Sequence, residues 1–312
     1  MANTDHLGLG CMGMNLGNRD RSIRTVHAAL DRGITLLNTG EFYGGGESEL
    51  VLREALRGIP RDSYTISVKF GVLPLPGRGI YGLDVRPFNV KAHLAYSLHR
   101  LGLDYVDIFE PARMDEAIPV EELMGALQDL VDEGCVRHIG LTQVTAEDVR
   151  RARAVAPIHM LELEYSLVQR GIEDEGLLDA AVEVGSEVLA FGILGHGFLA
   201  RDSRGSAAAG FRGSAEGAGE DAADTVRRGV AALASDFATT PERLLQAYVH
   251  TKHPEMRVLV GTTREEHLLD AIEALRIELG AEDVALLESL VPQGGLPNAS
   301  MRRIRFRNGR IV

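Results

Sequence analysis

The sequence predicts a closed (β/α)8 TIM barrel, and three observations lead there. Short apolar runs alternate with amphipathic helical patterns from one end of the chain to the other. The alternation occurs eight times, the number at which a parallel sheet closes and leaves no edge. At 312 residues the chain is long enough for one such barrel or for two ordinary domains. The even spacing favours a single barrel domain over residues 1–312, with a mobile loop at about 200–224 and a tail from about 292.

The first run is LGLGCMGM (7–14), and Arg21 to Arg32 follow with Ile23, Val26, Ala29 and Leu30 at helical spacing until Gly33 stops them. ITLLN (34–38) precedes a predicted helix over Glu47 to Arg57. YTISVKF (64–70) is followed, after a long loop, by a helical pattern over Asn89 to Leu101. YVDIFEPA (105–112) leads to Val120 to Asp132, with Gly134 beyond. VRHIGLT (136–142) leads to Ala146 to Val155, ended by Pro157. HMLELEYS (159–166) leads to Glu173 to Val184. EVLAFGIL (187–194) leads to a long loop and two helical stretches, 225–236 and 241–252. RVLVGT (257–262) leads to Arg264 to Glu278.

A doubly wound sheet is the rival fold. It would carry a Gly-rich dinucleotide fingerprint after the first strand, with an acidic residue ~20 residues on. The glycines at 8, 10 and 13 match that loosely. No helical pattern begins at Gly13, however, and Asp31-Arg32-Gly33 ends a helix rather than a strand. These glycines are read as a barrel turn.

Composition narrows the function. A net charge of −12 argues against nucleic acid and anionic membrane surfaces as partners. Two cysteines, Cys11 and Cys135, give neither a disulfide framework nor a metal spacing, which makes a reducing cytoplasm the default. MANTDHLG has no signal-peptide pattern, and no apolar run reaches the ~18 residues of a membrane span. The segment 200–224 is rich in Gly, Ala and Ser. It reads either as a disordered insertion or as a loop that folds over a ligand. The tail MRRIRFRNGR either packs over the barrel mouth or is a solvated end. The oligomeric state is not legible.

The stretch TLLNTGEFYGGGESE (35–49) carries the strongest chemical signal. An apolar run ends in Asn38-Thr39-Gly40, Tyr43 follows, and three glycines lead into a helix. Loops after parallel strands are where such folds place their chemistry. A lone Tyr there is either a half-buried aromatic or a phenol aimed into a pocket as an acid. Lys69 lies near the end of the third run, in SVKFG, in a chain with three lysines against thirty arginines. It is either a snorkelling Lys or a cation beside Tyr43, where it would lower the phenol pKa from ~10. Glu110, two residues before Ala112 on an extended strand, shares its face and is either a polar group of the pocket or an outward carboxylate.

The motifs LGLGCMGM, NTGEFYGGGESE, ISVKFG, EGCVRHIGLTQV, LELEYSL, LGHGFL and VGTTREEHL, in this order, resemble the aldo-keto reductases, NADPH-dependent (β/α)8 barrels. The similarity runs from about residue 7 to about 280. It implies reduction of a small-molecule aldehyde or ketone. NTGEFYG with IFEPARMD is also similar to the pyridoxal reductase branch, which implies a pyridoxal-like or other aromatic carbonyl. The family's catalytic Tyr and Lys fall on Tyr43 and Lys69. Its Asp falls on Asn38 and its His on Ala112, with Arg113 keeping the register.

Asn38 can bond Lys69 but brings no counter-charge, so the resemblance implies a Lys that pulls harder on the phenol and a more acidic Tyr43. Ala112 removes a donor to the developing oxyanion, a loss on the order of 10²–10³ in rate. Thr142 and Gln143 fall where the family holds the nicotinamide carboxamide, and Glu162 where it usually has Gln. Phe191 takes the stacking position, and Gly192, Leu194 and Gly195 lie along the pyrophosphate path. Gly261, Thr262 and Arg264 open the last helix, with Arg264 and Thr262 on the 2′-phosphate and His267 near the adenosine. Phe42, Phe70, Tyr81, Phe88 and Phe198 are mouth-lining candidates. The alternative is a barrel that binds NADP(H) for non-redox chemistry (isomerase, cyclase or dehydratase) or for a sensing or scaffolding role. Two changed catalytic positions favour that alternative; retained Tyr43 and Lys69 favour the reductase.

Overall fold

A computed structural model of the chain describes residues 3–75, 78–197, 199, 219–292, 296 and 304–312. Eight parallel strands close a barrel: β1 (Leu7–Gly10), β2 (Leu36–Gly40), β3 (Thr65–Phe70), β6 (Val106–Pro111), β7 (Val136–Thr142), β8 (Met160–Glu164), β9 (Glu187–Phe191) and β10 (Arg257–Gly261). β4 (Val72–Leu75) and β5 (Arg78–Leu83) form an antiparallel hairpin directly after β3, within what the sequence presents as one long loop. β1 pairs with both β2 and β10, so no edge is left and the doubly wound alternative is excluded.

The strands are apolar because both faces are buried. Outward residues such as Leu37, Val68, Phe109, Leu161 and Leu163 pack with the surrounding helices in the main core. Inward residues Leu36, Ile108, Met160 and Leu189, with Leu259 against them, form a separate apolar plug inside the barrel. Side chains alternate with period 2, so the next inward residues toward the C-terminal ends are Asn38, Glu110 and Glu162. The polar layer of the site therefore sits on an apolar floor.

The helices are α1 (Arg19–Leu30), α2 (Glu47–Ala55), α3 (Pro87–Leu101), α4 (Val120–Asp132), α5 (Ala146–Arg153), α6 (Gly171–Asp174), α7 (Leu177–Val184), α8 (Gly219–Asp236), α9 (Pro241–Lys252), α10 (Glu265–Ala274) and α11 (Ala281–Ser289). Their starts follow local chemistry. Thr145 and Asp148 form a capping box on α5, and Thr240 caps α9 ahead of Pro241. The predicted helix over Glu173 to Val184 is two pieces, because Gly176 adopts φ +70° between α6 and α7.

Gly8 and Gly10 lie within β1, not in a turn as expected. A Cβ at Gly8 would stand 3.0 Å from Leu36 Cδ2, so the missing side chain makes room for the plug. Residues 219–224, expected in the loop, belong to α8; Phe198 and the loop before α8 lie outside the described residues. The tail packs at the mouth. β11 (Phe306–Arg307) and β12 (Arg310–Ile311) form a hairpin whose Asn308 and Gly309 amides donate to Asp115 at 2.9 and 2.6 Å. Phe306 is 1% exposed. No helix among the described residues is long and apolar enough to cross a membrane.

Candidate active site

The strand ends that carry the sequence-predicted residues meet at one mouth. β2 brings Asn38, and the loop after it brings Tyr43 into a short turn ahead of α2. Gly44, Gly45 and Gly46 take φ of +60°, +67° and +98° in succession, a path open to glycine and strained for other residues. That tight path holds Tyr43 over the barrel while letting α2 start at once. Glu41 anchors the other side of the loop, accepting the Gly71 amide at 2.7 Å and lying 2.7 Å from His93 Nδ1.

Lys69 points inward from β3 and is 4% exposed. Its ammonium lies 5.5 Å from the centre of the Tyr43 ring. The phenol and the ammonium therefore meet, as the resemblance implies. The partner of Lys69 is the unexpected part. Nζ donates to the Asn38 carbonyl and to both oxygens of Glu162, the latter at 3.0 and 2.9 Å. The Asn38 amide group in turn donates to Glu162 Oε2 at 2.7 Å. Burial alone would push Lys69 down, but Glu162, Tyr43 and Glu110 together hold it above the ordinary lysine range.

The expected acidification of Tyr43 does not follow. Burial raises the phenol, the Lys69 charge lowers it by less, and Glu162 adds to the rise, so Tyr43 ends above the usual tyrosine value. The lysine is not short of a counter-charge, because Glu162 supplies one across the barrel.

Glu110 faces inward and is fully buried. Ser67 Oγ lies 2.8 Å from its Oε1, Thr142 Oγ1 3.0 Å from its Oε2, and the Asn38 amide 3.4 Å from Oε1. Burial, with Glu162 beside it, pushes the Glu110 carboxyl up to about 8 despite the pull of Lys69. Gly140 on β7 makes room: a Cβ there would stand 2.9 Å from Glu110 Oε2.

The cofactor positions fall on a continuous arc of strand ends. The Thr142 hydroxyl turns toward Glu110. Gln143, at φ +53°, bonds Glu164 in both directions, through Nε2 to Oε2 at 3.4 Å and from the Glu164 amide to Oε1 at 2.8 Å. Glu162 is turned onto Lys69 and Asn38. Phe191 ends β9; Gly192 follows at φ +74°, and Leu194 and the buried Gly195 lead into the next turn. Gly261 ends β10 with open space where a Cβ would be. Thr262 Oγ1 accepts the Arg264 amide at 3.0 Å and lies 3.4 Å from His267 Nδ1, gathering these three at the start of α10.

Two residues at the mouth went unused in the sequence reading. Arg113, directly after Ala112, donates from Nη1 to the Ala112 carbonyl at 2.6 Å. Burial lowers its pKa, and the charges of Glu164, Glu162 and Tyr43 act against that. His196 lies 2.7 Å from Glu164 Oε1, at φ +53°. Its signal was the Gly-flanked position in LGHGFL. Of the aromatic candidates, Phe42 packs edge-on to Tyr43 with ring centres 4.8 Å apart. Phe70 is core, stacked on Phe109, whereas Tyr81 and Phe88 are exposed, at 54% and 73%, and do not line a closed pocket.

The chain is similar to known proteins. The pattern described as "Aldo/keto reductase family" matches residues 6–292. "Probable aldo-keto reductase 1" of Glycine max is 30% identical, covering 97% of this chain and 88% of its own length. Among solved structures, an aldo-keto reductase from Klebsiella pneumoniae in complex with NADPH is 26% identical, with TM-score 0.71 over 91% of this chain and 90% of that one. The glycerol dehydrogenase AKR11B4 from Gluconobacter oxydans, at 24% identity, shares the fold with TM-score 0.79, covering 91% and 90%. With a barrel of this topology, a phenol and ammonium at its mouth and a family match over nearly the whole chain, the protein belongs to the aldo/keto reductase family of oxidoreductases.

Proposed function

We propose that the protein reduces an aromatic aldehyde or ketone, pyridoxal-like compounds among them, with NADPH as the reductant. The observation that carries this reading is the buried Lys69 ammonium 5.5 Å from the Tyr43 ring at the mouth of the barrel. A buried lysine is costly to keep unless it is paired and used. The NADPH-bound Klebsiella pneumoniae relative supports the cofactor.

The residues present fit that cofactor. Gly261 leaves open space at the end of β10. α10 begins beside it without a side-chain cap, and Arg264 and Thr262 stand at its start, a cationic and hydroxyl donor set suited to a 2′-phosphate. Glu265, in the same first turn, is drawn aside by Arg32 at 3.1 Å. Gln143 and Phe191 are the residues that would hold the nicotinamide end, and Gly192 lies where the pyrophosphate would pass. When bound, the reduced nicotinamide would supply the hydride.

The chain's own part is to hold and protonate the carbonyl oxygen. Tyr43 gives it the proton, and Lys69 stabilises the phenolate left behind. Ala112 contributes no donor to the oxygen as charge builds there; Arg113, the next residue in the chain, is the cation that takes this role. Phe42 gives an aromatic substrate a face to pack on.

The test is NADPH consumption, followed by absorbance, against a panel of aromatic aldehydes that includes pyridoxal. Wild type should turn over at least one of them. Tyr43→Phe should lose about 10²–10⁴ in kcat while NADPH binding is kept. Tight NADPH binding with no consumption anywhere would overturn the proposal in favour of a barrel that binds the nucleotide for another purpose.

A further inference from the structure

Resting on the reductase reading of Tyr43 and Lys69, we propose that Glu162 is the positioning carboxylate of the site: the counter-charge of Lys69 has moved from β2 across the barrel to β8. It acts through Lys69 and touches neither substrate nor the reacting atoms. The resemblance had placed it beside the nicotinamide carboxamide.

The geometry supports the exchange at each contact. Both Glu162 oxygens lie within 3.0 Å of Lys69 Nζ. The pair is buried, with side chains 5% and 3% exposed, so solvent does little to screen it. Asn38 completes the triangle in one orientation, its carbonyl toward Lys69 and its amide toward Glu162 Oε2 at 2.7 Å. A carboxylate at position 38 would put an anionic oxygen against Glu162 Oε2 at that separation, so a carboxylate at 162 requires a neutral donor at 38. Exchanging the two chemistries, Asn38→Asp with Glu162→Gln, keeps the charge, a Lys69 bond to each position and the bond between 38 and 162, and gives up the second Lys69–Glu162 bond and the 3.4 Å Asn38–Glu110 bond. The new carboxylate on β2 would then accept from Lys69, and the new amide on β8 would donate to it. The charge moves to β2 while the Lys69–38–162 triangle stays closed.

The remaining group in the layer, Glu110, bonds Ser67, Thr142 and Asn38 and makes no contact with Lys69 comparable to that of Glu162. It is the spare acid that would ionise if Glu162 were neutralised. It would soften a loss at 162 without restoring the geometry.

A double-mutant cycle tests the proposal: wild type, Asn38→Asp, Glu162→Gln and the double variant. Each is measured for kcat and its pH profile, for NADPH dissociation constant, and for the urea midpoint. Each single change should lower kcat by about tenfold or more, and the double should recover most of it, a coupling on the order of 10- to 100-fold. The limb of the kcat profile set by Tyr43 should shift in the singles and return in the double. The urea midpoints should show the same pattern.

Additive singles, with the double the worst of the four in kcat and midpoint, would refute the proposal. So would a Glu162→Gln variant whose only change is in NADPH affinity, the behaviour of a carboxamide ligand. Failure of the reductase reading looks different: wild type consumes no NADPH with any carbonyl. In that event the urea cycle still decides, because coupled midpoints uphold the Lys69–Glu162 exchange and additive ones reject it.

Discussion

Replacing Glu110 by Gln locates the proton of the buried cluster. Among the described residues, the layer directly above the apolar plug holds one ammonium, Lys69, and two carboxyl groups, Glu110 and Glu162. The two oxygens of Glu162 are engaged with Lys69, and Glu110 is pushed up to about 8 from an ordinary 4.5. The folded chain therefore keeps a proton on Glu110 that the unfolded chain releases above about pH 4.5. The sign follows. The contribution of Glu110 to stability is fully present below its unfolded pKa and is lost as pH rises through the folded value near 8. A whole displacement of that size at ~1.36 kcal/mol per pH unit sets the ceiling. Because the charge is shared with Glu162, a loss on the order of 3 kcal/mol is expected. Gln at 110 keeps a donor and an acceptor and carries no charge at any pH. Urea unfolding of both proteins at about pH 5 and about pH 9 reads the difference. Glu110→Gln should gain on wild type by on the order of 3 kcal/mol between the two conditions, with slopes unchanged. A gap between the two proteins that does not vary with pH would refute the reasoning.

Two further outcomes are expected. Gly140→Ala places a Cβ 2.9 Å from Glu110 Oε2 and 3.0 Å from Ile108 Cγ2, and should cost about 1–3 kcal/mol in urea unfolding. Gly125→Ala on α4, with nothing within 4 Å, is the control and should gain up to about 1 kcal/mol. Arg264→Ala should weaken NADPH about 10- to 100-fold in a fluorescence titration and leave NADH within about twofold, since only NADPH carries the phosphate it would pair with.

The fold was legible because its signal is local and repeated. Most barrel strands are apolar runs buried along both faces, and the predicted run VRHIGLT is β7, residue for residue. Elements outside the repeat escaped. β4 and β5 contain Pro74 and register shifts that hide a strand pattern, and α11 is too short on apolar positions to stand out, with only Leu287 buried. The tail is held by Asp115, some 190 positions away in the chain, which no local pattern shows. The site divides the same way. Tyr43 and Lys69 stood in recognisable motifs. The partner of Lys69 did not, because Glu162 is 93 residues distant and reaches it across the barrel. The expectation that Asn38 leaves the lysine under-neutralised weighed strand ends one at a time, whereas a closed barrel brings all eight to one axis.

That geometry separates the two departures from the family pattern. The change at Asn38 lies in the interior layer, where a group on the opposite strand can reach the same atom, and Glu162 does so at 2.9 Å. A site of that kind keeps its charge while its sequence positions drift, so Asn38 and Glu162 have to be judged as a pair. The change at Ala112 lies one level higher, at the rim, where Ala112 N donates to the Phe70 carbonyl at 2.9 Å and the barrel has ended. A replacement donor must come from loops, and Arg113 is the adjacent cation, tied to the Ala112 carbonyl by one nitrogen. The interior exchange keeps the electrostatics of the lysine nearly constant. On the proposed reading the rim loses a ring donor and relies on the retained cation Arg113, which would favour substrates whose carbonyl oxygen, or a neighbouring oxygen, carries negative charge during reaction.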